Sequence, residues 1–357
     1  MVMVQTITHP PRTSTERLQR STQPDSLERD HDLPQKVSSC HYHNGTAEKK
    51  PRQEQTVLYL AYGSNLSVKT FRGKRGIKPL SQVNVYVPEL RLTFDLPGVP
   101  YIEPCFAGTQ FRTAGKDEED KEKGGLADNT ANSIDIEKSP LLAGGHGQGQ
   151  GRGQKRDYHK NRWHKPLIGV VYEVTLADYA HIIATEGAGS TYRDVVVTCY
   201  PFPDSYSPSD PVPDCPDTQP FKAHTLLSPL RDETAGRNPL MRPDPAYAQP
   251  SARYLNLIRT GAAELDFPTS YRAYLSSIRP YRITTVRQRI GQGIFLAIWV
   301  PPLYLLLTFA SLLADDDGRS PAWFVQVQNA LFRTMWTSYD AFFRKVFGDG
   351  ERTIGDV

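Results

Sequence analysis

Residues 57–66 read VLYLAYGSNL, an apolar run that passes directly into a glycine, a hydroxyl and an amide. The run predicts a buried strand, and the loop after it exposes backbone N–H groups that a ligand can approach at Gly63, because glycine has no Cβ. Ser64 and Asn65 add side-chain donors and acceptors. Such a loop can hold a carboxylate or a developing oxyanion, and the same residues also fit an ordinary tight turn.

Composition and charge restrict the class of protein. The 357 residues are 38% hydrophobic and include 29 prolines and 26 glycines, an apolar share that is low for a wholly compact chain. We therefore expect long unfolded stretches beside one ordinary core. A formal net charge of +3 is too small to indicate a nucleic-acid partner. The four cysteines lack the paired short spacing of a disulfide framework or a zinc site.

The hydrophobic pattern divides the chain into three regions. Residues 1–54 are polar and aperiodic, which predicts a disordered tail. Residues 55–285 carry strand-like runs first and helical patterns later, which indicates one α+β domain, a curled sheet or small barrel with flanking helices. A charge- and glycine-rich stretch at about 113–162 and a proline-rich stretch at about 203–249 are predicted insertions of that domain. Residues 286–357 form a hydrophobic C-terminal region.

A single acidic residue marks the end of a predicted helix. Residues 176–187 carry apolar side chains at helical spacing, and Glu186 precedes Gly187 and Gly189. A carboxylate at a pocket wall has its pKa raised by loss of solvent and can serve as a general base. A lone glutamate before glycine is more often a solvated acid at a helix end, so the role of Glu186 depends on its partners.

Five further blocks follow the opening stretch along the chain. They read LRLTFDLPG, CFAGTQF, PLIGVVYEVT, EGAGSTYRDVVVTCY and PSARYLNLIRTGAAELDFPTSYRAYLSSIRPY. In this order, after LYLAYGSNL, they resemble the γ-glutamylcyclotransferase superfamily, which is AIG2-like, and the long low-complexity insertions resemble its fungal members. The resemblance leaves out the tail, both insertions and everything after residue 285.

The resemblance implies a fold, a reaction and a set of site residues. It implies a small mixed β-barrel with helices and a lyase reaction, in which a γ-glutamyl group cyclises to 5-oxoproline and an amine is released. By resemblance, Glu186 matches the catalytic acid/base and Tyr254 matches a tyrosine that lines the site. No metal and no organic cofactor is implied. The implied substrate-binding loop consists of Tyr59, Leu60, Ala61, Tyr62, Gly63 and Ser64.

Two other functions stay open on the sequence. A serine hydrolase of the Gly-Asp-Ser-Leu type would use Ser64 as its nucleophile, but Gly63 stands where such an enzyme needs aspartate, and the last histidine, His224, has no aspartate three residues before it. The other alternative is a non-catalytic, membrane-tethered interaction module on the same fold, and the presence of Glu186 argues against it. Asn65 stands where the glutathione-specific branch usually has an apolar residue, which makes glutathione a less favoured substrate.

Residues 290–314 form an uncharged apolar run that is long enough to cross a membrane. At 1.5 Å per residue, a helix over this run spans the ~30 Å hydrocarbon layer, with a kink expected at Pro301 and Pro302. Arginines precede the run and aspartates follow it, which predicts that the preceding domain faces the cytoplasm. A buried helix pair, a surface hairpin or a soluble cytoplasmic protein fits the same pattern. The expected partners are a small-molecule γ-glutamyl substrate and a membrane.

Overall fold

The computed structural model describes residues 9–34, 55–112, 163–185, 193–227, 242, 244, 247–313 and 321–355 of the chain. The strands in these ranges are β1 (Thr56–Ala61), β2 (Ser81–Val87), β3 (Leu90–Val99), β4 (Glu103–Phe111), β5 (Leu167–Thr175), β6 (Arg193–Pro201) and β7 (Phe221–Leu227). The α-helices there are α1 (Thr15–Arg20), α2 (Leu176–Thr185), α3 (Ala252–Glu264), α4 (Thr269–Ser277), α5 (Val286–Leu313), α6 (Ala322–Ser338) and α7 (Arg344–Phe347).

Five strands close into a barrel in the order β1-β5-β2-β6-β7. Neighbouring strands are antiparallel except β1 and β7, which run parallel with Tyr59 opposite His224. Strands β3 and β4 form a separate antiparallel hairpin. The predicted α+β fold, a small mixed β-barrel with flanking helices, is confirmed. The apolar runs at 57–61 and 167–172 form strands of this barrel, and all of their residues are buried.

The helices predicted within the domain are present, and one of them packs very closely on the loop of the opening stretch. The predicted helix near 176–187 corresponds to α2, and the helical patterns predicted later in the domain correspond to α3 and α4. A Cβ on Gly261 of α3 would lie 2.4 Å from the backbone carbonyl carbon of Leu66. Glycine therefore permits a contact that a side chain would block, and α3 reaches the end of β1 because of it.

Strand β7 lies inside residues 203–249, which we expected to be an insertion, and this prediction is wrong for that strand. The short run FKAHTLL pairs with β6 from Arg193↔Leu227 to Cys199↔Phe221 and closes the barrel on β1. Prolines on both sides hide its strand pattern in the sequence. Residues 228–241, 243, 245 and 246 of this range and the whole predicted insertion at 113–162 lie outside the described residues.

An N-terminal segment, residues 9–34, folds against the barrel inside the range 1–54 that we expected to be a disordered tail. Arg17 on α1 donates to Glu28 (2.5 Å), and Glu28 accepts from the backbone N–H of Leu58 on β1 (3.0 Å). Buried charges persist where they are paired and hydrogen-bonded, and these partners are far apart in sequence. The tail prediction is wrong for this segment, and the rest of the range lies outside the described residues.

Residues 286–313 and 321–355 form a second cluster of helices, which we call the C-terminal helical unit. Helix α5 continues through Pro301 and Pro302, and α6, a π-helical turn and α7 follow and pack against it. Tyr101, between β3 and β4, enters this cluster, which is separate from the barrel core. Its other buried members are Phe295, Trp299, Met335, Trp336, Tyr339 and Phe343.

One face of α5 lies outside this cluster and is apolar. At about 100° per residue, five of the eight large apolar side chains that the structure describes as exposed on α5 fall within about 100° of the helix circumference. We call this face the apolar stripe, and it consists of Ile290, Ile294, Ile298, Leu305 and Phe309. Among the described residues, one helix is long and apolar enough to cross a membrane, at Val286–Leu306 with a mean hydropathy of 1.3. Core helices of soluble proteins meet the same criterion, so membrane crossing stays a prediction.

Candidate active site

A narrow recess lies at the end of β1, where the chain turns away from the barrel. Together with the open solvent at its mouth, its empty volume is about 300 Å³. The turn after β1 meets residues from β4, β7 and α3 here, and the lining consists of Tyr59, Tyr62, Gly63, Ser64, Asn65, Ala107, Leu226 and Tyr254. The structure thus brings together five of the predicted substrate-binding residues, namely Tyr59, Tyr62, Gly63, Ser64 and Tyr254.

A single 3-10 turn shapes the floor of this recess. The N–H of Leu66 donates to the carbonyl of Gly63 (3.1 Å), and the N–H of Ser67 donates to the carbonyl of Ser64 (3.2 Å). The first N–H group of a helical turn has no partner within the turn, and here it belongs to the lining residue Ser64. The start of the turn therefore places a backbone donor where an anionic oxygen can bind.

Tyr254 closes the recess opposite Gly63. A Cβ on Gly63 would lie 3.5 Å from the Tyr254 hydroxyl and 3.7 Å from the Cβ of Ala107, so a methyl group there would occupy the recess. The Tyr254 hydroxyl accepts a hydrogen bond from the N–H of Ala107 (3.2 Å), and the ring of Phe106 packs edge-on against Tyr254 with centroids 5.1 Å apart. Ser251 caps α3 by accepting from the N–H of Tyr254 (3.0 Å).

Hydrogen bonds orient the other two lining tyrosines. The Tyr59 hydroxyl accepts from the Asn65 side-chain amide (3.0 Å), and the Tyr62 hydroxyl donates to the carbonyl of Leu226 (2.6 Å). Tyr59, Tyr62 and Asn65 belong to the opening stretch, whereas Leu226 belongs to β7. All four residues are buried. Hydrogen bonds in such a water-poor setting hold the hydroxyls in fixed directions.

Two of the predicted substrate-binding residues do not reach the recess. Leu60 and Ala61 are buried in the barrel wall, where the carbonyl of Leu60 accepts from the Thr225 hydroxyl (3.1 Å) and Ala61 pairs with Val170 across β1 and β5. They belong to the strand that supports the loop. A contiguous motif does not separate the residues that build a strand from the residues that line its end.

Three lining residues lie outside the predicted set. Asn65 follows the predicted loop directly and has the polar side chain that such a loop needs. Ala107 belongs to the CFAGTQF block, but a small apolar residue gives no chemical signal of its own. Leu226 comes from β7, so it could not be placed while that strand was assigned to an insertion.

The predicted catalytic acid/base, Glu186, lies outside the described residues. Helix α2 ends directly before it, and β6 begins a few residues after it. Tyr179 of α2 donates to the carboxylate of Asp194 on β6 (2.5 Å), so a hydrogen bond joins the two elements that flank Glu186. The Tyr179 ring also contacts Tyr59 of the recess, with centroids 6.1 Å apart. Burial first, and then the charge of Asp194, raises the pKa of Tyr179 well above its ordinary value.

His224 extends this hydrogen-bonded chain to the N-terminal segment. Its Nδ1 lies 2.9 Å from the Asp194 carboxylate, and its Nε2 lies 2.9 Å from the carbonyl of Leu27. Both partners are acceptors only, so we assign a proton to each ring nitrogen and a positive charge to the ring. Burial alone would lower the pKa of His224, but the bond and charge of Asp194, with Leu27 and Glu28, raise it above its ordinary value.

The described residues include no group of three or more histidine, cysteine, aspartate and glutamate side chains that could hold a metal ion. The polar groups that converge on the recess are tyrosine hydroxyls, one side-chain amide, one serine and backbone amides. Such neutral donors and acceptors bind carboxylates and amides through hydrogen bonds.

Two curated relatives cover most of the chain. Gamma-glutamyl cyclotransferase gliK of Aspergillus fumigatus is 31% identical over 296 residues, which are 83% of this chain and 89% of that protein. Gamma-glutamyl cyclotransferase aclK of Aspergillus oryzae is 30% identical over 313 residues, which are 85% of this chain and 92% of that protein. The chain belongs to the γ-glutamyl cyclotransferase family.

The likeness to this family extends to the C-terminal region. Residues 285–346 match the family model described as the AclK C-terminal domain, which corresponds to α5 through the start of α7.

Among solved structures, a gamma-glutamyl cyclotransferase is 15% identical with a TM-score of 0.37, over 65% of this chain and 92% of that chain. A yeast gamma-glutamyl cyclotransferase specific to glutathione is 11% identical with a TM-score of 0.35, over 62% and 95%.

Proposed function

We propose that this member of the family is an active γ-glutamyl cyclotransferase that releases 5-oxoproline and an amine from a small γ-glutamyl substrate. The substrate's α-amino nitrogen attacks the γ-carbonyl carbon, a new C–N bond closes the ring, and the former amide C–N bond breaks. The α-ammonium loses a proton before the attack, and the departing amine gains one. One carboxylate, which we assign to Glu186, can carry the proton in both steps.

The observation that carries this proposal is the convergence of Gly63, Ser64, Asn65 and Tyr254 on one recess at the end of β1. The backbone N–H of Ser64 at the start of the turn suits the oxyanion that forms on the γ-carbonyl. Ring closure is intramolecular, so a recess that holds the glutamyl chain folded supplies most of the orientation that the reaction needs. No electrons are exchanged and the substrate contains its own nucleophile, so we propose no metal or organic cofactor.

The direct test is to incubate the full chain with a panel of γ-glutamyl amino acids and glutathione and to measure 5-oxoproline. We expect release from at least one γ-glutamyl compound. A folded protein that releases 5-oxoproline from no member of the panel would contradict the proposal and favour the non-catalytic interaction module.

A glycine pair tests whether the recess is the place of reaction. Gly63→Ala puts a methyl group into the recess, whereas a Cβ on Gly73 would meet no atom within 4 Å. Since a displacement of ~1 Å can cost up to ~100-fold in rate, we expect Gly63→Ala to lower kcat/KM by about 10-fold or more. Gly73→Ala is the control and keeps wild-type kinetics. Equal activity of both variants would place the reaction elsewhere.

The apolar stripe supports a second proposal, that the protein associates with a membrane and keeps its barrel on the cytoplasmic side. Monomeric soluble proteins rarely leave such a contiguous apolar face in water. Arg282, Arg287 and Arg289 are exposed beside the start of α5, where they can contact anionic headgroups. Helix α5 packs on the rest of the C-terminal helical unit through Phe295 and Trp299, which lie outside the stripe, so the stripe is left open to lipid.

Two charges on the stripe test this association without shortening the chain. The double variant Ile294→Glu, Ile298→Glu places carboxylates where hydrocarbon contact is expected, at ~2 kcal/mol or more per charge. In a vesicle flotation assay, we expect the wild type to float with vesicles of phosphatidylcholine and phosphatidylserine. We expect the double variant to remain in the bottom fraction. Leu80→Glu, which changes an exposed apolar residue of the domain, is the control. Flotation of the double variant at the wild-type level would contradict the proposal.

A further inference from the structure

The loop between β3 and β4 is anchored in the C-terminal helical unit. Tyr101 in this loop has a φ of 67°, a left-handed backbone that a non-glycine residue keeps where its surroundings hold it. Its ring is 1% exposed and packs edge-on against Phe295 (5.8 Å between centroids) and Tyr339 (5.7 Å).

Every polar group of Tyr101 bonds to the same unit. The N–H of Tyr101 donates to the carbonyl of Gly350 (2.8 Å), and its carbonyl accepts from the side-chain amide of Gln292 (2.9 Å). Its hydroxyl lies 2.9 Å from the carbonyl of Gly348 and 3.2 Å from that of Phe343. The hairpin loop is therefore fixed by residues on α5 and by the chain that follows α7.

The strand that leaves this loop holds Tyr254 in the recess. On β4, Glu103 pairs with Arg253, Phe106 packs on Tyr254, and the N–H of Ala107 donates to the Tyr254 hydroxyl. Tyr101 and Ala107 are six residues apart on an extended chain, or about 20 Å. A displacement of the loop is thus passed along β4 to the wall of the recess.

The same C-terminal segment also holds the residues that precede α3. The N–H of Gln249 donates to the carbonyl of Glu351 (2.9 Å), and the N–H of Thr353 donates to the side-chain carbonyl of Gln249 (2.8 Å). Gln249 is fully buried and lies five residues before Tyr254. Residues 350–353 therefore contact both elements between which the Tyr254 side chain is held.

We propose that the C-terminal helical unit keeps the recess in its working shape, and that Tyr101 is the positioning residue through which it does so. This rests on the proposed cyclotransferase function of the recess. Tyr101 lies about 20 Å along the strand from Ala107 and acts through β4 and Tyr254. The unit thus has a role in catalysis as well as in membrane association.

Neighbouring loop residues give a matched pair for the test. Tyr101→Ala removes the anchor, whereas Ile102→Ala changes the next side chain, which is 41% exposed. We expect Tyr101→Ala to lower kcat/KM for 5-oxoproline release by about 10- to 100-fold. Amide hydrogen exchange should become faster in residues 103–111, while β1 and β5 stay protected. Ile102→Ala keeps wild-type values in both measurements.

Two further variants keep the test decisive if Tyr101→Ala does not fold. Tyr101→Phe keeps the ring and loses the hydroxyl bonds, and Gly350→Val brings a side chain against the Tyr101 ring, because a Cβ there would lie 3.0 Å from it. Both variants should show the same two changes, a lower kcat/KM and faster amide exchange in residues 103–111, to a smaller extent than Tyr101→Ala. Wild-type kinetics and exchange in these variants, or loss of protection in β1 and β5 together with β4, would overturn the proposal. If the wild type itself releases no 5-oxoproline, the proposed function fails, and the exchange of β4 alone decides the role of Tyr101.

Discussion

The barrel and the C-terminal helical unit both bury aromatic rings, but the helical unit exposes many more large apolar side chains. In the barrel domain Phe71 is fully buried and packs on Tyr172 with ring centroids 4.5 Å apart. In the helical unit Phe295 is equally buried, yet 12 of the 15 exposed large apolar side chains among the described residues belong to this unit. A closed barrel leaves no strand edge and covers its apolar faces internally, whereas a few packed helices leave their outer faces to another surface.

This difference assigns separate tasks to the two regions. The barrel places the turn after β1 on a rigid base, and the recess forms where that turn meets α3 and β4. The helical unit presents an apolar face outward and holds Tyr101 on its inner side. A substitution at a buried position of the barrel domain should therefore lower the stability more than the same substitution at an exposed position of the helical unit.

A pair of phenylalanines gives the largest expected difference. Phe71→Ala removes a ring that is 0% exposed, and we expect it to lower the free energy of unfolding by ~3–5 kcal/mol. Phe309 on the apolar stripe is 51% exposed, so Phe309→Ala should change it by no more than ~0.5 kcal/mol. Urea unfolding measures both values. Equal losses would show that the stripe is covered in solution.

A pair of helical glycines gives a smaller difference. Gly261→Ala forces a Cβ against the backbone of Leu66, and overpacking of this kind costs ~1–3 kcal/mol. A Cβ on Gly293 of α5 would meet no atom within 4 Å, so Gly293→Ala should be neutral or stabilise by up to ~1 kcal/mol. Melting temperatures show the difference. If Gly261→Ala is also neutral, α3 does not pack on the turn as closely as described.

A pH series sharpens the comparison within the barrel. The pKa of His224 is raised above its ordinary value of 6.5, so its stabilising effect is complete below pH 6.5 and is lost as the pH rises through the folded-state pKa. We expect the difference in melting temperature between wild type and His224→Gln to be largest below pH 6.5 and to narrow as the pH rises through the folded-state pKa. A difference that is constant with pH would show that folding does not raise the pKa of His224.

The parts of the fold that the sequence predicts are those in which neighbouring residues determine the structure. The apolar runs of β1 and β5 and the helical spacing of α2 are local patterns, and these elements are present. Strand β7 is not predicted because its short run depends on β6 and β1 for hydrogen bonds. Arg17 and Glu28 are charged residues that are buried as an ion pair, and no local pattern in the sequence shows such a pair.

For the same reason, the sequence predicts only part of the recess. Gly63 and Ser64 lie in one motif, and resemblance to the family adds Tyr59, Tyr62 and Tyr254. Ala107 and Leu226 reach the recess through strand pairing and have no polar group that would mark them in the sequence. Their place depends on the closed barrel and on the β3–β4 hairpin.

The central claim is that this chain cyclises a γ-glutamyl substrate with Glu186 as the proton carrier, and the most direct test is the initial rate of 5-oxoproline release by Glu186→Gln. Glutamine keeps the size of the side chain and cannot carry the proton. We expect the rate to fall by at least ~100-fold, as is usual when a general acid–base group is removed, at an unchanged melting temperature. A variant that keeps more than about a tenth of the wild-type rate would contradict the claim.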